Sequence, residues 1–249
     1  MMRLKKKILL ALIVALIVLA AACGIYVSDY YHAGQHAVDV AGAAAADYTC
    51  QHGENTLVFI PSDEAAAQLD APSGLIFYPG GKVEYTAYAP LMEQLAEQGV
   101  FCVLVKMPAN LAVLDMGAAE VHLDEFPDIE KWYVGGHSLG GSMAASYAAE
   151  HAEELEGLLL LASYSTADLT GSGLDVLSIY GSEDGVLNMD KYNEYRPNLP
   201  EETTAEIILE GGNHAGFGDY GPQDGDGEAS LSGENQQRQT AMAFIEIVK

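Results

Sequence analysis

The chain has 249 residues, of which 49% are hydrophobic and 8% aromatic, a composition that excludes a disordered or fibrous protein. Eleven Lys and Arg residues against 36 Asp and Glu residues give a net charge of −25, which makes nucleic acid an unsuitable partner. The length fits one α/β domain behind an N-terminal segment, and the oligomeric state stays open.

Residues 1–27 carry a membrane signal. Four basic residues within positions 3–7 precede an apolar run over 8–27, and about 20 apolar residues suffice for a helix to cross a bilayer. The basic residues predict a cytoplasmic N-terminus, with the rest of the chain outside a bacterial-type membrane. The segment also resembles a lipoprotein signal that ends at Cys23. Such signals usually have a bulky aliphatic residue where this chain has Ala20, which favours an uncleaved signal-anchor.

The remainder of the chain is strongly acidic. Without the four basic residues, it holds seven Lys and Arg against 36 Asp and Glu, a net charge of −29. This balance is typical of a solvated surface on an exported protein. The loop 216–233 is rich in Gly and Asp, but it lacks the ligand pattern of a calcium loop, which favours a flexible acidic loop. We therefore expect neither a metal nor a cofactor.

Residues 28–55, with alanines at 43–46, suit a stalk or first helix leading off the membrane. From residue 56 to the end, short apolar runs alternate with segments of helical spacing. The predicted strands are 56–60, 74–78, 100–105, 131–134, 158–162, 175–180 and 205–209. The predicted helices are 87–97, 142–154 and 234–248.

This alternation predicts an α/β fold, with a mostly parallel, doubly wound sheet and helices on both faces. Ligands of such sheets bind beyond the carboxyl ends of the strands, so chemistry is expected just after each apolar run. Cys102 lies in one such run and reads first as a buried strand residue. Its pairing with Cys50 in an oxidising compartment stays open.

Ser138 lies in the sequence Gly136-His-Ser-Leu-Gly140, between a predicted strand and an alanine-rich helix. Glycines two residues to either side allow a sharp strand-to-helix turn that holds the serine in a strained conformation. The turn presents the hydroxyl at the head of a helix, where the helix dipole favours negative charge. The pattern predicts that Ser138 is a nucleophile.

A serine nucleophile needs a base, and the base needs an orienting acid. Asp184 follows the apolar run 175–180 and His214 follows the run 205–209, so both occupy loops after predicted strands. The order Ser, Asp, His is the one this type of fold uses. The sequence predicts Asp184 as the acid and His214 as the base, with Glu183 as the nearest competing acid.

The oxyanion of the tetrahedral intermediate needs two backbone donors. The first is expected from Leu139, directly after the nucleophile. The second is expected from the loop Pro79-Gly-Gly-Lys82, which follows the strand 74–78, and Gly81 is preferred over Lys82.

Taken together, these motifs resemble the α/β-hydrolase superfamily over about residue 56 to the end. The direct run from 164 to 175, without a cap domain, is similar to the compact dienelactone-hydrolase-like branch, although that branch uses cysteine where this chain has Ser138. The resemblance implies hydrolysis of an ester, thioester or related small-molecule acyl bond through an acyl-enzyme. Two alternatives stay open: an acyltransferase with the same triad, and a non-catalytic surface-binding protein on a hydrolase scaffold.

Overall fold

The computed structural model describes residues 2–249, so Met1 of the predicted segment 1–27 lies outside the described residues. The chain divides into a unit that ends at Tyr30 and a second unit, Tyr31–Lys249. The first unit contains helix α1 (Met2–Ser28), whose part Lys6–Ser28 is long and apolar enough to cross a membrane. A signal sequence meets the same criterion, so this helix fits an anchor or a signal.

The second unit alternates strands with helices. Its strands are β1 (Tyr48–His52), β2 (Thr56–Pro61), β3 (Ser73–Tyr78), β4 (Phe101–Val105), β5 (Lys131–His137), β6 (Gly157–Leu161), β7 (Asp175–Gly181) and β8 (Thr204–Leu209). Its helices are α2 (Gln35–Ala41), α3 (Asp63–Ala66), α4 (Ala89–Ala96), α5 (Glu120–Glu125), α6 (Leu139–Glu150), α7 (Met189–Tyr195) and α8 (Gly233–Val248).

The strands form one sheet in the order β1-β2-β4-β3-β5-β6-β7-β8. The pairs β1–β2 and β2–β4 are antiparallel, and the remaining pairs, from β4–β3 to β7–β8, are parallel. Every residue of β3, β4 and β6 is buried, as expected for strands covered on both faces. The predicted α/β-hydrolase fold with a mostly parallel sheet is confirmed.

The two faces of the sheet carry separate hydrophobic cores. Successive side chains of a strand point to opposite faces, so Leu75 and Phe77 of β3 pack on the face covered by α2, α4 and α8. Ile76 and Tyr78 pack on the face covered by α6. The strands are therefore packed on both faces, and their carboxyl ends fix the points at which the following loops begin.

Residues 31–55 belong to the same compact unit as the rest of the sheet. The segment expected to form a stalk or first helix contributes α2 and the edge strand β1. The predicted helical character stops at Ala41, and the alanines at 43–46 lie outside any helix because Gly42 ends α2. The compact unit therefore begins well before residue 56.

Cys50 and Cys102 are both free. Cys50 lies opposite Phe59 of β2, and Phe59 in turn lies opposite Cys102 of β4. Two strand spacings of about 4.8 Å each separate the cysteines, which exceeds the roughly 7 Å limit between the Cα atoms of a disulfide. The topology therefore keeps the two thiols apart.

Candidate active site

Ser138 forms the turn between β5 and α6, with backbone angles φ 53° and ψ −120°. Few residues other than glycine adopt a positive φ. Its N–H donates to the carbonyl oxygen of Leu161 at 2.9 Å, and its own carbonyl oxygen accepts from Ser142 N–H and Ser163 Oγ at 3.1 and 2.8 Å. The turn is therefore held on both sides, and α6 begins immediately after it, at Leu139 rather than at the predicted residue 142.

The glycines that flank the turn are required by close packing. A Cβ at Gly136 would lie 2.6 Å from the carbonyl oxygen of Tyr78, and one at Gly140 would clash with the carbonyl oxygens of Tyr78 and Pro79. A side chain at either position would push the serine turn away from the end of β3. The glycines of the sequence motif are thus needed because the turn packs closely against the end of β3.

Asp184 and His214 lie in the loops that follow β7 and β8. His214 Nδ1 is 2.9 Å from Asp184 Oδ2, and each side chain is only 2% exposed. The other carboxylate oxygen, Oδ1, accepts from the N–H groups of Val186 and Leu187 at 2.9 and 2.7 Å. Glu183 is exposed, so Asp184 is the acid that meets the imidazole.

An ionised carboxylate can only accept, so this contact favours the His214 tautomer with the proton on Nδ1 and the lone pair on Nε2. That Nε2 atom is buried and, among the described residues, has no hydrogen-bond partner, Ser138 Oγ included. The ring of His137, directly before the serine, lies 4.4 Å from the ring of His214 between centroids. The unpartnered Nε2 atom therefore belongs to a ring that packs against His137, directly before the serine turn.

The two residues expected to supply the oxyanion donors lie next to each other. A Cβ at Gly81 would be 3.0 Å from Leu139 Cδ2, so the loop after β3 touches the first residue of α6. Lys82, the alternative donor, has its N–H engaged with the carbonyl oxygen of Asn110 at 2.8 Å. The geometry therefore favours Gly81 over Lys82 as the second donor beside Leu139.

Residues 74–238 match the model of the alpha/beta hydrolase family. The chain belongs to the alpha/beta hydrolase family. The match begins in β3 and ends in α8, so it includes the serine turn and the loops of Asp184 and His214.

Solved structures support the fold of this hydrolase. It is similar to a structure titled "predicted CIB-like hydrolase" from Thermoplasma acidophilum, with a TM-score of 0.55 and 16% identity over 82% of this chain and 100% of that one. It is also similar to Est1E from Butyrivibrio proteoclasticus, with a TM-score of 0.56 and 12% identity over 82% of this chain and 99% of that one. No curated protein matches the sequence.

A buried relay that sequence reasoning missed connects the loop after β3 to the serine turn of the hydrolase. Gly80 N–H donates to the hydroxyl of Tyr88 at 3.1 Å, and that hydroxyl lies 2.7 Å from His137 Nδ1. Burial raises the pKa of Tyr88, so its hydroxyl stays protonated and donates a hydrogen bond to His137 Nδ1. Burial first, and the neighbouring His214 second, hold the pKa of His137 well below its usual range. His137 is therefore neutral and accepts at Nδ1.

Gln236 of α8, also missed, holds the loop of His214. It is fully buried, its Oε1 accepts from Asn213 N–H at 3.1 Å and its Nε2 donates to the Asn213 carbonyl oxygen at 2.7 Å. The available signal was a polar residue on the apolar face of an amphipathic helix, since buried amides need partners. The residue before the base is thus fixed by both of its backbone groups.

We predict that Tyr88→Phe lowers kcat about 5- to 20-fold, because the buried Gly80 N–H loses its acceptor and the oxyanion loop shifts. KM should change little, since the oxyanion contact forms in the transition state. Steady-state turnover of a short-chain ester measures both constants, with Tyr85→Phe as the control on the same turn. An unchanged kcat in Tyr88→Phe would contradict the role of the relay.

We predict that His137 makes the folded state less stable in acid. Its pKa is lowered in the folded state, so below about pH 6.5 the unfolded state binds a proton that the folded state does not. As the pH is lowered below this value, the free energy of unfolding of the wild type should fall by up to about 1.4 kcal/mol per pH unit more than that of His137→Gln. Denaturant unfolding of both forms at pH 7.5 and 5.5 measures this, and parallel pH dependences would refute it.

Proposed function

We propose that this hydrolase cleaves an ester or related acyl bond of a small molecule through an acyl-enzyme on Ser138. The observation that carries the proposal is the buried pair of His214 and Asp184, whose unpartnered Nε2 belongs to a ring packed against the serine turn. A buried nitrogen without a partner lowers stability, and a catalytic role explains why such a group is tolerated. Accepting the serine proton is such a role.

In the first half of the reaction, His214 Nε2 takes the proton of Ser138 Oγ as the oxygen attacks the acyl carbon. Asp184 holds the imidazole and stabilises the imidazolium that forms. The developing oxyanion accepts from the N–H groups of Leu139 and Gly81, at the N-terminus of α6. His214 then gives its proton to the leaving group, and the acyl group stays on Ser138.

In the second half, a water molecule takes the place of the leaving group. His214 removes its proton, the hydroxide attacks the acyl carbon, and Ser138 Oγ leaves with the returned proton. An acyltransferase would use another acceptor at this step. The segment between β6 and β7 forms no helix, which supports an open site that water reaches.

We also propose that helix α1 tethers the hydrolase to a membrane, with the catalytic unit outside the cytoplasm. The support is the apolar part Lys6–Ser28 and the basic residues that precede it. The net charge of −29 beyond those residues suits a soluble exported unit. The alternative to an uncleaved anchor is a lipoprotein in which Cys23 carries the lipid.

Ser138→Ala should lower ester turnover by about 10³-fold or more while the protein stays folded, because the members of a triad act as one unit. Ser146→Ala, in the helix α6 that follows Ser138, is the matched control and should keep wild-type turnover. Circular dichroism and steady-state kinetics on a panel of esters and thioesters measure the outcome. Wild-type turnover in Ser138→Ala would contradict the serine mechanism.

The full chain should sediment with membranes and be digested by protease added outside intact cells. Removing residues 1–30 should release a soluble unit, since no second apolar segment of comparable length follows in the sequence. Mass spectrometry of the membrane-bound protein separates the two forms, because only a lipoprotein would begin at a lipidated Cys23. Recovery of the full chain in the cytosol alone would refute the tether.

A further inference from the structure

Asp226 lies in the loop between His214 and α8, outside the proposed triad. Its carboxylate accepts four backbone N–H groups: Gly185, His214 and Gly227 donate to Oδ1 at 3.1, 3.1 and 2.9 Å, and Ala215 donates to Oδ2 at 2.8 Å. Hydrogen bonds to a charged acceptor are the stronger ones. This acidic side chain therefore acts as a fixed acceptor, not as part of a flexible loop.

The donors come from the two loops that hold the proposed acid and base. Gly185 is next to Asp184, and the other two long-range donors are His214 itself and Ala215. One carboxylate thus bridges both loops. The bridge is tightly packed, because a Cβ at Gly185 would lie 2.5 Å from the carbonyl oxygen of Gly225.

The loop that carries Asp226 has its own supports. Asp224 N–H donates to the hydroxyl of Tyr31 at 3.1 Å, and the rings of Tyr31 and Tyr220 are 5.6 Å apart between centroids. Asp219 accepts from Gly34 N–H at its carbonyl and from Ala37 N–H at Oδ2, at 2.7 and 2.9 Å. Residues 31–37 therefore brace the loop that carries Asp226.

We propose that Asp226 is a positioning residue that keeps the Asp184 carboxylate and the His214 imidazole in the geometry needed for proton transfer. This inference rests on the proposed serine hydrolase function. Without the carboxylate, the N–H groups of Gly185, His214 and Ala215 lose a shared acceptor and the two loops can separate. A displacement of about 1 Å at a reacting group can cost on the order of 100-fold in rate.

The test compares Asp226→Asn and Asp226→Ala with Asp224→Asn, a control that removes the same charge two residues away. The full chain is assayed in detergent with a short-chain p-nitrophenyl ester. We expect Asp226→Ala to lower kcat about 30- to 100-fold with KM within about threefold. Asp226→Asn keeps one acceptor oxygen, so its loss should be smaller, about 5- to 20-fold. Asp224→Asn should match the wild type.

Thermal unfolding of each variant separates positioning from stability. A kcat of the folded protein that equals wild type in Asp226→Ala would overturn the inference, even if the melting temperature falls. So would an equal loss in Asp224→Asn, which would indicate a general charge effect. Ser138→Ala shows which of the two proposals has failed. Full turnover in Ser138→Ala would contradict the proposed serine hydrolase function. Turnover that depends on Ser138 but is unchanged in the Asp226 variants would contradict only the positioning role of Asp226.

Discussion

The structure depends on the strained backbone of Ser138. A positive φ in a residue other than glycine costs on the order of 1–3 kcal/mol and persists only where its surroundings enforce it. Here the carbonyl oxygen of Leu161 and the hydroxyl of Ser163 hold the two backbone groups of the serine. Gly140 lies so close to the end of β3 that no side chain fits. Together these contacts hold the ends of β3, β5 and β6 and the start of α6 at one point.

The carboxyl edge of the parallel sheet explains how residues far apart in the chain meet there. The loops after β3, β5, β7 and β8 all leave the sheet at this edge, which is where open α/β sheets bind ligands. Buried contacts also distinguish two neighbouring histidines: His214 Nδ1 lies 2.9 Å from Asp184 Oδ2, while burial lowers the pKa of His137 and keeps its ring neutral.

The sequence predicted the parts of the molecule that depend on local pattern. The central strands and the turn at Ser138 follow from apolar runs and glycine spacing, and the loops after β7 and β8 hold Asp184 and His214 where the pattern expected them. Beyond Gly42 the alanine composition favoured helix, but pairing with β2 made residues 48–52 an edge strand.

The supporting residues could not be predicted in the same way. Tyr88 and Asp226 act through contacts with other segments of the chain, and their own neighbourhoods contain no pattern that points to the site. For Gln236 the only signal was a polar residue on the apolar face of a helix, which does not show what the side chain binds. The loop of Asp226 read as flexible because it is rich in glycine and aspartate. In the folded unit those glycines allow close backbone approach, and the aspartate supplies the acceptor.

The most direct measurement of the central claim is covalent labelling with a fluorophosphonate, followed by mass spectrometry of the digested protein. The phosphorus centre reacts with an activated serine and mimics the tetrahedral intermediate. We expect one adduct, on the peptide that contains Ser138, and loss of labelling in His214→Ala. An adduct on another residue, or equal labelling in His214→Ala, would contradict this claim.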